Sequence, residues 1–227
     1  MNLKKLFRPK SLAIVGGYWA DFVVQGNRKL GFKGPIWHIN PTRESNKKNK
    51  YYKNIHELPG VPDCVYIAVS RDLTVKVIKD FESLGTGGAV CLASRFSEIN
   101  SKEAINKTKQ LIKNSGKMPF LGPNCYGFIN YLDKVSVWSD QIAGNPCKKG
   151  IALICQSGTI GNTVSFNHRS LPLGYIISVG NQTCVTIEDV IGYVLNDKRV
   201  TAIGIYAESF NNIKLFFKVL EKAKKNK

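Results

Sequence analysis

Short apolar runs, each closed by a small or polar turn, alternate with amphipathic stretches along this chain, and that alternation limits the fold more than any other feature. Leu12 to Val15, Pro35 to Ile39, Cys64 to Val69, Ala89 to Ala93 and Pro119 to Leu121 read as strands, with Tyr18 to Leu30 as the first helix. Val75, Ile78 and Phe81 follow Asp72 at helical spacing, and Ile105, Thr108, Leu111 and Ile112 follow Ser101, so Asp72 and Ser101 are the expected N-caps. Alternating β and α units bury their strands in a parallel sheet with helices on both faces. The first part is therefore expected to be a doubly wound, Rossmann-like sheet of about five parallel strands.

Asp133 to Lys149, with Gly144, Pro146 and a Lys-Lys-Gly step, has no helical period and reads as a linker. A second β-α series follows, with strands expected at Ile151 to Cys155, Tyr175 to Val179 and Thr201 to Ala207. Thr186 with Asp189 forms a capping-box-like start to a helix whose apolar face carries Ile187, Val190, Ile191, Val194 and Leu195. The last helix carries Ile213, Phe216, Phe217 and Leu220. The expected division is thus 1–145 and 146–227. Roughly three β-α units make a thin parallel sheet, so the second domain is expected to be incomplete and the chain a fragment or a truncated product.

Composition removes several classes of function. With 227 residues and 43% hydrophobic content the chain can bury one large core or two small ones. The cysteines, Cys64, Cys91, Cys125, Cys147, Cys155 and Cys184, stand singly without companion histidines, so neither a disulfide framework nor a metal site is expected. The formal charge of +17 comes with lysine-asparagine tracts of the kind found on solvated faces, without the aromatic-basic interleaving of an RNA-binding sheet. No nucleic acid partner is expected, only an electrostatic pull on anionic metabolites. The basic segment Met1 to Lys10 is interrupted by Arg8, Pro9 and Lys10, and no run is long enough for a membrane span, which makes a cytoplasmic protein the expectation.

The turns carry the functional signal. Gly16-Gly17, Asn40-Pro41, Ser70, Ser94-Arg95 and Gly122-Pro123-Asn124 close the first strands; Gln156-Ser157-Gly158-Thr159, Gly180-Asn181-Gln182 and Glu208 close the later ones. All fall at strand carboxyl ends, the edge at which open α/β sheets bind ligands. Gly16-Gly17-Tyr18-Trp19-Ala20-Asp21 lacks the later glycines of a dinucleotide fingerprint, and Asn40-Pro41-Thr42-Arg43 offers no acid to a ribose hydroxyl, which disfavours NAD. Arg43, with Lys47 and Lys48 nearby, suits a ribose bearing an extra phosphate, as in NADP or coenzyme A. Ser157 either caps a helix or opens one whose amino end receives a phosphoryl group, with Gly158 leaving room for its approach.

Taken together, Ala13 to Ala20, Gly31 to Pro41, Leu121-Gly122-Pro123-Asn124-Cys125-Tyr126-Gly127-Phe128-Ile129-Asn130, Gln156-Ser157-Gly158 and Val179-Gly180-Asn181 resemble the acyl-CoA synthetases that form a nucleoside diphosphate, the acetate–CoA ligase relatives of succinyl-CoA ligase. The likeness runs over essentially the whole chain. It implies a coenzyme A-binding Rossmann-like domain followed by an incomplete flavodoxin-like, succinyl-CoA synthetase-like domain. It implies further that Gly16, Gly17, Asn40, Pro41, Arg43, Ser70 and Ser94 lie along coenzyme A, and that Pro123 and Asn124 lie where the thiol meets the acyl group. Ser157 and Gly158 would then receive the phosphoryl group, and Glu208 would position the phosphorylated histidine. A small carboxylate is the implied co-substrate. ATP and Mg²⁺ belong in that family to an ATP-grasp domain or subunit outside these residues, and the complete enzyme is expected to be an oligomer. Arg95 departs from the family, which usually has glycine there; it would either clash with the ligand or add a phosphate contact. The phosphorylated histidine is expected downstream, which leaves His38, His56 and His168 as structural residues, and Cys125 needs no nucleophilic role because coenzyme A carries its own thiol.

Overall fold

The computed structural model describes residues 1–47, 49–166 and 171–225. A short helix α1 (Lys4–Phe7) precedes β1 (Leu12–Gly16), α2 (Tyr18–Leu30), β2 (Ile36–Ile39), β3 (Tyr51–Tyr52), β4 (Cys64–Ala68), α3 (Arg71–Leu84), β5 (Ala89–Cys91), α4 (Lys102–Ser115) and β6 (Phe120–Leu121). These strands form one parallel sheet in the order β3-β2-β1-β4-β5-β6. All the runs expected from the first part of the sequence are strands, and the two-residue β3 adds an edge strand the pattern did not reveal. β1 and β4 are apolar almost without interruption because helices cover both their faces.

Local chemistry sets the helix ends. Gly31 ends α2 and Gly85 ends α3 in left-handed conformation, at φ +79° and +87°, where their N–H groups return to the last carbonyls of each helix. Ser101 caps α4 as expected, its Oγ accepting from the Ala104 N–H at 3.1 Å. Asp72 is not a cap: Ser70 holds that place, and the Asp72 carboxylate in the first turn of α3 meets Lys107 Nζ at 2.7 Å instead.

The second part comprises β7 (Gly127–Asn130), β8 (Val135–Trp138), β9 (Gly150–Cys155), α5 (Gly158–Ser165), β10 (Leu173–Ser178), α6 (Ile187–Val194), β11 (Val200–Tyr206) and α7 (Ile213–Lys225). Its sheet runs β11-β9-β10-β7-β8, with β7 antiparallel to both β10 and β8. The linker expected at 133–149 is thus partly a strand. β8 is fully buried and closes a hairpin with β7, so this sheet has five strands and not only the parallel ones read from the sequence. The change from one sheet to the other falls between Leu121 and Gly127. The Thr186–Asp189 capping box forms as expected.

Two features hold the sheets together. Asn27 of α2, almost wholly buried, donates to the Ser136 carbonyl on β8 and accepts from the Ser136 N–H at 3.1 Å, pairing backbone groups that the sheet edge leaves free. At the other end, Leu6 and Phe7 of α1 enter the core, and Arg8 reaches Asp133 at 2.9 Å and Asp197 at 3.0 Å, with Arg199 bridging the same two carboxylates. The basic amino-terminal segment is therefore structural. No helix among the described residues is long and apolar enough to cross a membrane.

Candidate functional site

The strand order of the first sheet reverses between β1 and β4, which opens a crevice at their carboxyl ends. Gly16 ends β1 at φ +138°, and its carbonyl accepts from His38 Nε2 at 2.9 Å and Asn40 Nδ2 at 2.9 Å. Carbonyl and N–H point opposite ways across a trans peptide, so this double anchor turns the Gly17 N–H away from His38 and Asn40 at the amino end of α2. Asn40 is used up in the process: its Oδ1 accepts from the Thr42 and Arg43 N–H groups, both at 3.1 Å. Burial pushes the His38 imidazole below its ordinary range, against the opposing pull of the Gly16 carbonyl. His38 is thus a brace for the turn. His56 lies in a single 3-10 turn, Ile55–Glu57, and His168 lies outside the described residues.

A cleft of about 870 Å³ lies along these strand ends. It gathers Ser70, Ser94 and Asn124 of the expected residues with Trp19, Arg71, Arg95 and Tyr126. Ser70 and Ser94 are exposed. Asn124, at φ +58°, hydrogen-bonds through its N–H to the Ala93 carbonyl at 2.9 Å. Arg43 is not in this cleft. It lines a neighbouring recess of about 210 Å³ together with Asp21, His38 and Tyr51, and its guanidinium grips the Asp21 carboxylate at 2.6 and 2.9 Å. That hydrogen-bonded carboxylate holds Arg43 firmly protonated and competes with any phosphate for it. Pro41 is exposed beside Arg43. Pro123, joined to Gly122 by a cis peptide, is buried, and its carbonyl accepts from the Asn181 N–H at 3.0 Å. It stitches the turn after β6 to the turn after β10.

The second cluster of expected residues forms around α5. Ser157 occupies the N-cap position, yet its hydroxyl makes no capping bond, which leaves the first N–H groups of α5 without a side-chain cap. Gln156 ties this turn to the turn after β11, its Oε1 accepting from the Glu208 N–H at 2.9 Å and the Ser209 N–H at 3.0 Å. The Glu208 side chain is exposed and has no partner among the described residues. Gly158 is required by the protein itself, because a Cβ there would fall on the ring of Tyr126. Tyr126 also lines the cleft, so the two clusters share a wall. Tyr126, Trp19 and Gln156 are the contributors that sequence reasoning passed over, although all three stand inside the motifs it singled out.

Cys125 is buried, with its thiol pushed up to about 12 by that burial, and its Sγ lies 3.7 Å from the Cys91 carbonyl. Burial of that kind disfavours the thiolate a nucleophile needs. Among the described residues no group of histidine, cysteine, aspartate and glutamate could hold a metal ion.

A doubly wound sheet with an anchored glycine turn and a polar cleft at its reversal point defines a nucleotide-type ligand-binding protein of the α/β class. Residues 10–131 match the family described as CoA binding domain, and the chain belongs to it. Residues 148–227 match the succinyl-CoA ligase like flavodoxin domain. The chain is 29% identical, over 100% of its own length, to an ADP-forming acetate–CoA ligase of Methanocaldococcus jannaschii, covering 32% of that protein. It is 30% identical, over 99% of its length, to the ADP-forming acetate–CoA ligase II of Archaeoglobus fulgidus, covering 35%. Among solved structures, it resembles the dinucleotide-forming acetyl-coenzyme A synthetase 1 of Ca. Korarchaeum cryptofilum in complex with phosphate and ADP, with a TM-score of 0.84 and 25% identity over 96% of this chain and 48% of that one. The chain thus spans about a third of the length of these curated relatives.

Proposed function

We propose that this chain is the coenzyme A-binding portion of an ATP-dependent, NDP-forming acyl-CoA synthetase, an acid–thiol ligase acting in the cytoplasm on a small carboxylate. In that reaction ATP phosphorylates a histidine and leaves ADP. The phosphoryl group passes to the carboxylate, and the coenzyme A thiol attacks the acyl phosphate, releasing phosphate and forming the thioester. The ATP-grasp part that would bind ATP and Mg²⁺ acts as a partner domain or subunit, and the whole is an oligomer.

One observation carries the reading. The cleft at the β1/β4 reversal shares Tyr126 with the uncapped amino end of α5, so a ligand lying along the first sheet ends beside donors suited to a phosphoryl group. Ser70, Ser94 and Asn124 line the cleft; Gly16 and Gly17 do not line it but form the turn before α2, whose Trp19 does, and Asn40 and Pro123 brace neighbouring turns. Glu208, exposed at the neighbouring strand end with its backbone N–H held by Gln156, would accept an imidazole N–H and set its tautomer. The absence of an acid at Asn40 favours coenzyme A over NAD as the ligand. Calorimetric titration of the chain with both ligands tests this: we expect saturable coenzyme A binding and weak or no NAD binding. Equal or tighter binding of NAD refutes the reading.

A further inference from the structure

Arg95, in the turn after β5, takes a left-handed conformation, at φ +69°, where glycine sits without strain and arginine does not. Three contacts hold it there. The Glu98 carboxylate accepts from the Arg95 N–H and from the Phe96 N–H, the latter at 3.1 Å, and Arg71 Nη1 donates to the Arg95 carbonyl at 3.2 Å. Glu98 also accepts from Asn181 of the second sheet, which locks the turn from both sides. A strained residue that its surroundings over-determine, at the rim of a cleft, points to use of its side chain.

The charges around the cleft indicate the use. Arg43 is held by Asp21, and Arg71 by Glu103 with Asp72 close by. Arg95 lines the same cleft as Arg71, yet among the described residues its exposed guanidinium has neither an ion-pair nor a hydrogen-bond partner. An anion entering the cleft meets Arg95 without first breaking a salt bridge. Arg43 must release Asp21 before it does the same.

Resting on the coenzyme A reading above, we infer that Arg95 is a phosphate-binding residue of the cleft, giving a phosphate of the ligand a bidentate guanidinium contact in place of the open space a glycine would leave. The phosphate is either the 3′-phosphate or one of the diphosphate, and the ligand series below separates them.

The test compares the chain with its Arg95→Gly, Arg95→Gln and Arg95→Lys variants, titrated with coenzyme A and with dephospho-coenzyme A. Arg95→Gly relieves the backbone strain, so its thermal midpoint should equal or exceed that of the unsubstituted chain. Its coenzyme A affinity should fall about tenfold, the scale of one lost charge-assisted contact. Arg95→Gln should fall with it, and Arg95→Lys should recover part of the loss. A loss absent with dephospho-coenzyme A assigns Arg95 to the 3′-phosphate; a loss that persists assigns it to the diphosphate. Unchanged coenzyme A affinity in Arg95→Gly, equal weakening in the Lys and Gln variants, or a lower thermal midpoint in Arg95→Gly overturns the inference while leaving the coenzyme A reading intact. No coenzyme A binding by the unsubstituted chain removes that reading and the inference together.

Discussion

Replacing Asn27 should unfasten the two sheets at a cost that can be worked out from its contacts. The carboxamide satisfies both backbone groups of Ser136 on β8, the outer strand of the second sheet, and also donates to the Val23 carbonyl at 2.8 Å within its own helix. Both residues are buried, so Asn27→Ala leaves an N–H and a carbonyl unpaired, at roughly 1–3 kcal/mol apiece. Water entering the vacated space offsets part of this, and we expect a net loss of about 3 kcal/mol. Urea unfolding measures it as a fall in the transition midpoint at unchanged slope, and amide exchange at Ser136 should quicken in parallel. Asn27→Leu supplies the control. It restores the volume but neither hydrogen bond, so it should be about as damaging as alanine. Near-native stability in the leucine variant, or unchanged exchange at Ser136, would refute the hydrogen-bond argument and leave packing as the cause.

The glycine pair should separate structure from ligand. Gly16→Ala drives a Cβ into the Ala68 carbonyl at a positive φ, so it should destabilise the chain by roughly 1–3 kcal/mol, read as a lowered thermal midpoint. A Cβ at Gly17 meets no atom within 4 Å, so Gly17→Ala should lower the midpoint less than Gly16→Ala while weakening coenzyme A binding, and unweakened binding would move the ligand off this turn. His38 should make stability depend on pH. Burial lowers its folded pKa beneath the ordinary value of about 6.5, so the unfolded chain binds the proton first. Stability is then full above that pH and falls on acidification toward the folded pKa. His38→Gln should flatten that part of the midpoint-against-pH curve, and a slope unchanged by the substitution would assign it to other groups.

What the sequence revealed and what it concealed divide along local and non-local lines. The helix α2, the Ser101 cap and the Thr186–Asp189 capping box depend on residues within a turn or two, and each was legible. The strand Val135–Trp138 was not: its hairpin with β7 is local, but its outer edge is satisfied by Asn27, far off in the chain. The same holds at the site. The turns could be placed at one sheet edge from their positions after apolar runs, and Ser70, Ser94 and Asn124 do converge there. Nothing local to Arg43 tells that Asp21 will claim its guanidinium, and nothing local to Asn40 tells that its side chain will serve the Gly16 carbonyl.

Tyr126 couples the two clusters and so governs the outcome of any substitution at Gly158. Its ring lies against Gly158 and 5.3 Å from the Trp138 ring, and Tyr126 also lines the cleft. Any side chain added at position 158 displaces that ring before it meets a phosphoryl group. Bulk there consequently disturbs both clusters at once, and a lost reaction in such a variant would not separate approach of phosphate from collapse of the shared wall. Glu208 is the cleaner witness. Its carboxylate makes no hydrogen bond or ion pair among the described residues, and its backbone is held independently by Gln156, so a change of charge at that position should leave the fold as it is and alter what the carboxylate would hold.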